Sequence, residues 1–334
     1  MSVFVKSSKT PDIRKGWMGD LPDHAKIAPL CTLSIPGSHD SFTYSLERSG
    51  TAGPDQPEMI RKLTRMFPRI SCWILYKWSV TQGRSVSGQL ESGVRYFDIR
   101  LVAETAETGE RDFRILHCLL GDNITHILKD IKMFLDENRS EIVFLDFQHL
   151  YQFETRDHEA LIKFLLTHFR NMLCTWQQDI SKISIASMLS KGARVILIYP
   201  TIYHSSNSQL RNNKLDPVSL SYLWPRSMCP TPWPDTANTT RLKHFLDTKL
   251  ETRNPGIFFI SQGILTPNLK TILFHPFSNL DKACGKRCNN TVRQWLKEVH
   301  GSSRRPNIVI TDFVGVCQCS CDIINIIISM NCSR

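Results

Sequence analysis

The sequence lacks any apolar stretch able to cross a bilayer: its longest late run, Ile323 to Met330, is interrupted by Asn325 and falls short of the ~20 residues a spanning helix needs. The N-terminus, MSVFVKSSKTPDIRKGWMGD, has no apolar core of a secretory leader. We therefore expect a soluble, cytoplasmic protein without a cleaved signal, reaching membrane surfaces only transiently. There is no low-complexity tract, which argues against disorder. Metal-ligand spacing is missing too. Cys317, Cys319 and Cys321 lack the two-residue gap of a zinc knuckle, and Cys284 and Cys288 have no matching pair. The trio reads as small side chains around a helix start, and neither a metal nor another cofactor is expected. The eleven cysteines are odd in number, lie in a long chain and follow no leader, so reduced thiols are expected.

A run of basic residues is also absent. The net charge of +10 draws the chain to polyanions, but the cations sit in scattered groups such as Arg61, Lys62 and Arg65, or Lys282, Lys286 and Arg287. Without a basic stripe or a zinc-finger, RRM or KH pattern, the polyanion expected is an anionic lipid surface and not nucleic acid.

What is present is enough apolar sequence, 41% of 334 residues, to bury a large core in one α/β domain or two smaller ones. Eight β-rich runs recur with helical segments between them: Leu30 to Ile35, Val94 to Val102, Phe113 to Leu119, Glu141 to Phe147, Arg194 to Tyr199, Ser219 to Trp224, Gly256 to Ser261 and Asn307 to Phe313. Several are apolar throughout, as in IVFLDF and VILIY, which suits parallel strands covered on both faces. Between them Ile124, Ile127, Leu128, Ile131, Phe134 and Leu135 recur at helical spacing, and Asp157 to Leu173 is similarly amphipathic. No Pro/Gly-rich linker divides the chain, so the count favours a single (β/α)8 barrel of the TIM type. The Ser-, Asn- and Pro-rich stretch from Tyr203 to Thr236 interrupts the rhythm and reads as long loop at the barrel mouth.

In such a barrel the chemistry sits where strands end. Ser38, His39 and Asp40 follow the first run, Asp98 and Arg100 end the second, His117 ends the third and Asp312 the eighth. Two histidines, carboxylates and an arginine at one mouth would supply a base, an acid, their orienting partners and an anion clamp, the kit for cleaving a phosphodiester. Each residue also has a plain structural reading: a strand-end histidine is often only hydrogen-bonded packing, and Asp98 with Arg100 an ordinary ion pair.

The segments IPGSHDS, KWSVTQ, QLESGVRYFDIR, LH, SQGILTP and ITDF, in this order, resemble the phosphatidylinositol-specific phospholipase C X-domain proteins, most closely the small X-domain-only ones. The resemblance covers roughly residues 25–330, leaving 1–24 as an N-terminal extension, and it implies a distorted TIM barrel. It implies further that His39 takes the proton of an inositol 2-hydroxyl attacking phosphorus, oriented by Asp312, while His117, beside Asp40, protonates the departing diacylglycerol oxygen. The large eukaryotic enzymes of that class bind calcium through an Asn after the first His and acidic residues in the second motif. Asp40 and Arg100 stand at those places here, as in the calcium-independent bacterial enzymes, so a guanidinium would do the work of the cation.

Ring recognition is less well marked, because the bacterial basic residue after strand four has no Lys counterpart. Asp146, Gln148, Tyr199 and Gln262, with Asp98, are the residues expected to meet a phosphoinositide headgroup, and His149 lies beside them. Trp224, Trp233 and Phe153 lie in expected mouth loops, where aromatics either dip into the lipid interface or cap the core. The expected partner is thus a phosphoinositide lipid met by peripheral contact, and no protein partner is legible. Three other readings compete: an X-domain protein that binds such membranes with little turnover, a glycerophosphodiester phosphodiesterase, disfavoured by Arg100, and a nucleic-acid binder, disfavoured by the scattered cations.

Overall fold

A computed structural model of the chain describes residues 14–49, 51–105, 109–200, 215–275, 277–302 and 304–332. Its strands are β1 (Ile35–Ser38), β2 (Tyr96–Thr105), β3 (Arg111–His117), β4 (Leu119–Asn123), β5 (Val143–Tyr151), β6 (Val195–Tyr199), β7 (Leu223–Pro225), β8 (Ile260–Gly263) and β9 (Ile308–Thr311). The helices are α1 (Asp23–Ile27), α2 (Glu58–Met66), α3 (Pro68–Ser79), α4 (Val86–Glu91), α5 (Ile124–Glu137), α6 (Thr155–Phe169), α7 (Ile185–Ser190), α8 (Pro217–Leu220), α9 (Thr239–Thr252), α10 (Leu269–Phe274), α11 (Lys286–Val299) and α12 (Gln318–Ser329). None of the described helices is long and apolar enough to cross a membrane.

The parallel strands follow the order β7-β6-β5-β2-β1-β9-β8, a sheet curled into a distorted TIM barrel. The edges β7 and β8 meet through the segment after β7: Phe258 N and Ile260 N donate to the carbonyls of Met228 and Pro230 at 3.1 and 3.0 Å.

One strand departs from the eight-strand expectation. Phe113 to Leu119 does not take a parallel place. It belongs to β3, which runs antiparallel to β2 and turns at once into β4 through Cys118, at φ 61. The reason is covalent reach. Only residues 106–110 separate β2 from β3, whereas a parallel crossover needs a dozen or more residues. Smaller differences concern boundaries. Leu30–Thr32 is a 3₁₀ turn ahead of β1, β5 runs on to Tyr151, and Pro217–Leu220 is helical ahead of β7. Of the expected mouth loop, residues 203–214 lie outside the described residues.

The helical reading of α5 holds residue by residue: Ile124, Ile127, Leu128, Ile131, Phe134 and Leu135 are all buried, behind an Asn123 cap that accepts from Thr125 N. The cysteine trio does surround a helix start, with Cys317 in the capping position of α12.

Strand alternation sorts the core. Ile35, Tyr96, Phe144, Ile196, Ile198, Phe258, Ile260 and Ile310 fill the barrel, while Phe97, Ile99, Leu145, Leu197 and Tyr199 face the helices. Gly37 is required within that interior, since a Cβ there would lie 2.8 Å from Ile310 Cγ2. At the closed end, Trp17, Met18 and Leu21, late in the expected N-terminal extension, join the same core. A fully buried ion pair, Arg95 to Glu141 at 2.7 Å, secures them: Glu141 Oε1 accepts from Met18 N and Gly19 N, both at 3.1 Å.

Candidate active site

The interior parity of each strand carries past the apolar layers to a polar residue at the C-terminal end: Gly37 leads to His39, Tyr96 to Asp98 and Arg100, Phe144 to Asp146, Ile260 to Gln262 and Ile310 to Asp312. The barrel thereby collects side chains from five strands at one mouth.

The turn after β1 is held rigidly. Ser41 N donates to Asp98 O at 2.9 Å and Asp98 N to Ser41 Oγ at 2.8 Å, stapling IPGSHDS to β2. Asp40 takes a left-handed backbone, φ 41, which an aspartate tolerates better than most residues. That conformation turns its carboxylate into the middle of the site.

His39 and His117 occupy contrasting environments. His39 Nδ1 lies 2.8 Å from Asp312 Oδ1, and its Nε2 lies 3.2 Å from Arg100 Nη2. A guanidinium cannot accept, so toward Arg100 this arrangement suits a ring carrying its proton on Nδ1. Burial alone would lower the pKa of His39, but the Asp40 and Asp312 carboxylates outweigh it and raise the pKa to about 9. For His117, Nδ1 lies 2.7 Å from the Ser79 carbonyl and Nε2 lies 3.2 Å from Asp40 Oδ2. Both nitrogens face acceptors, so the proton-donating form fits.

Asp40 joins the two histidines, with Oδ2 3.4 Å from His39 Nε2, and pairs through Oδ1 with Arg100 Nε. Burial would raise its pKa, yet Arg100 and the histidines hold it down at about 2. Arg100 Nη2 also donates to Asp98 Oδ2 at 3.3 Å. His39, Asp40 and Asp98 are the one group among the described residues with ligand atoms close enough to hold a metal ion, and the Arg100 guanidinium sits against all three. The β2–β5 register slips between Ile99 and Arg100 because Gln148 is an extra residue on β5, while β2 runs on unbroken from Asp98 to Arg100.

The remaining expected residues divide. Asp146 lies at the floor of the mouth, where its Oδ2 accepts from Tyr96 Oη and Gln148 Nε2, each at 2.6 Å. Burial raises its pKa to about 7 against the opposing Arg226 guanidinium, so near neutrality it can donate as well as accept. Gln262 has the right parity, but its amide donates to Thr231 O and Oγ1 at 2.9 Å. Tyr199 is not brought to the mouth. It has the outer parity of Val195 and Leu197, and its Oη meets His158 Nδ1 at 3.0 Å beneath α6. Among the expected rim aromatics Trp224 is fully buried in the barrel, Phe153 stacks on Phe113 and Trp233 alone is exposed.

Several residues that support the site had no role in the sequence reading. Ser79 holds His117, Thr81 Oγ1 donates to the carbonyls of His39 and Asp40, and Gln82 Nε2 donates to His39 O and Thr311 O at 2.8 and 2.9 Å. All three lie in KWSVTQ, a segment that carried the resemblance without a function; its backbone, hydroxyl and amide contacts explain it. Arg226, 3.7 Å from Asp146, was likewise unmarked.

No protein-family model matches the chain. Among solved structures, the phosphatidylinositol-specific phospholipase C of Listeria monocytogenes superposes with a TM-score of 0.62 at 19% identity, covering 94% of this chain and 98% of its own. A Staphylococcus aureus enzyme of the same description gives 0.61 at 16%, covering 95% and 97%, and these likenesses establish the fold. PI-PLC X domain-containing protein 2 of Mus musculus is 33% identical over 299 residues, 89% of this chain and 83% of the relative. Protein 3 of the same species is 33% identical over 303 residues, 89% of this chain and 88% of the relative. With that identity spanning 89% of its length, the chain belongs to the PI-PLC X domain-containing proteins.

Proposed function

We propose that the chain is a phospholipase C that cleaves phosphatidylinositol lipids by general acid/base catalysis without calcium. The observation that carries this reading is the Arg100 guanidinium seated against His39, Asp40 and Asp98, with His117 across Asp40. In the reaction His39 Nε2 takes the proton of the inositol 2-hydroxyl as its oxygen bonds to phosphorus. The bond from phosphorus to the glycerol oxygen breaks, and His117 Nε2 gives that oxygen its proton. The products are diacylglycerol and a cyclic inositol phosphate. Asp312 orients His39, and the Ser79 carbonyl orients His117.

As a non-bridging phosphate oxygen gains charge, Arg100 provides a fixed cation whose protonation does not vary with pH. Asp146, Gln148 and Arg226 line the floor beneath, where ring hydroxyls would be met by groups able to donate and accept. The test is release of soluble inositol phosphate from phosphatidylinositol vesicles in chelator. Turnover in wild type, lost in His39→Ala, is expected. A requirement for added calcium would remove Arg100 from this role. Vesicle binding without turnover under either condition would leave the barrel a lipid-binding module.

A further inference from the structure

The ladder between β1 and β9 stops one bond short. Ser38 pairs with Thr311, and His39 N still donates to Thr311 O at 3.2 Å. In a regular parallel ladder the next bond would run from Phe313 N to the His39 carbonyl. Phe313 N donates instead to Thr81 O at 2.7 Å, and the His39 carbonyl accepts from Gln82 Nε2 at 2.8 Å, with Thr81 Oγ1 3.2 Å away. Two residues of the segment between α3 and α4 thus intervene between the strand ends that carry His39 and Asp312.

Gln82 is fully buried, and both polar atoms of its side chain are used there. Nε2 also donates to Thr311 O at 2.9 Å, and Oε1 accepts from Val314 N at 3.1 Å. One amide therefore ties His39 to the chain on either side of Asp312, whose own carbonyl accepts from Asn289 Nδ2 at 3.0 Å. Immediately beyond both positions the chain turns left-handed, at Asp40 with φ 41 and at Phe313 with φ 54. A bulky side chain such as phenylalanine disfavours that region, so Phe313 stays there because its neighbours fix it. Thr81 O and Gln82 Oε1 do so, and Thr43 Oγ1 sets them in turn by accepting from Thr81 N and Gln82 N, both at 3.0 Å.

These bonds bear on the chemistry because the base and its partner stand directly across from one another. On neighbouring strands about 4.8 Å apart, His39 and Asp312 continue the Ser38–Thr311 register, and their 2.8 Å contact lasts only while both strand ends keep that alignment. The segment reaches the acid too, since the Ser79 carbonyl at its start holds His117 Nδ1 at 2.7 Å.

We infer that Gln82, assisted by Thr81, is a positioning residue that acts through the ends of β1 and β9 to hold His39 in line with Asp312. The assignment rests on the phospholipase reading for the role of His39 as base, but its effect on the ring can be measured without turnover. The Gln82 side chain bonds backbone groups alone, so it acts on the rate and not on the binding of substrate.

The experiment compares full-length wild type, Gln82→Met, Asp312→Asn and the double variant, by NMR titration of the His39 ring and by kcat and KM on phosphatidylinositol vesicles across pH. Methionine keeps the length of the side chain and removes its hydrogen bonds. In Gln82→Met the ring should titrate about one pH unit or more below wild type, because misalignment with Asp312 withdraws an opposite charge. Its kcat should fall about tenfold to hundredfold, as for a small misplacement of a catalytic group, with KM changed by less than about twofold. On the Asp312→Asn background the same substitution should cost less than about twofold further, since the charge it aligns is already gone. Thr81→Val should move both readouts in the same direction by less, and Thr81→Ser should restore them. An unmoved ring in a Gln82→Met protein that melts as wild type does, or losses that multiply in the double variant, overturns the inference. If Gln82→Met fails to fold, Thr81→Val is held to the same two criteria. Should no protein, wild type included, turn over phosphatidylinositol, the phospholipase reading fails while the ring titration still decides the positioning role.

Discussion

Replacing Asp312 by asparagine isolates how the site prepares its base. Asp312 Oδ1 accepts from His39 Nδ1 at 2.8 Å, inside a pocket where the His39 side chain is 12% exposed. A hydrogen bond to a charged group contributes about 1.5–3 kcal/mol, and one pKa unit corresponds to about 1.4 kcal/mol, so losing the carboxylate should lower the His39 pKa by about 1–2 units. From about 9 the ring would then titrate near 7 to 8. With His39 as the proposed base it acts unprotonated, so in wild type kcat/KM should rise with pH and level off near 9, and in Asp312→Asn the rising limb should move toward lower pH. At its plateau the variant should be slower by about 10- to 100-fold, because the weaker base gains less from the proton it takes. Kinetics in chelator from pH 5 to 10, roughly the span of the two limbs, give the profile, and NMR titration of the labelled ring gives the same pKa without turnover. An unmoved limb together with an unmoved ring would refute this account of His39.

Three further outcomes follow from other contacts. Because His39 is stabilised as imidazolium, with its pKa raised from 6.5 to about 9, its contribution to stability is complete below about 6.5 and is lost as pH rises through 9; wild type should lose stability over that window and His39→Gln should not, measured by denaturant midpoints. His117→Ala should be slowed about 10²- to 10⁴-fold on a lipid substrate but far less on a phosphodiester with a nitrophenol leaving group, which needs no proton; an equal loss on both would deny His117 the role of acid. Glu141→Ala strands the buried Arg95 charge and should cost about 3–5 kcal/mol, so a melting temperature within a degree or two of wild type, as judged from the usual ~2–4 °C per kcal/mol, would contradict that reading of the barrel floor.

Much of this site was legible because strand ends in a parallel barrel converge whatever their separation in sequence. His39, Asp98, Arg100 and Asp312 could be picked from three separate segments on that ground alone. Parity could have been read further. Ile196 and Ile198 alternate with Tyr199, so placing one pair inside the barrel puts the tyrosine outside, where it meets His158. The missed hairpin at β3 was likewise implicit in the short connection between Thr105 and Arg111, too short to cross over. The rim aromatics are less legible: of Trp224, Trp233 and Phe153 only Trp233 is exposed, because aromatic residues announce themselves in a sequence whereas their burial does not.

The sequence by itself determined the barrel class and that two histidines, an arginine and carboxylates stand at strand ends, since each depends on residue type and on the rule that strand ends share a mouth. Only the tertiary structure decided which nitrogen of each histidine faces a donor or an acceptor. Those choices are made by long-range partners: Asp312 lies 273 positions from His39, and Ser79 supplies a backbone carbonyl that no residue identity encodes. Hydrogen-bond direction and burial are set by neighbours in space, and the chain must close its barrel before those neighbours exist.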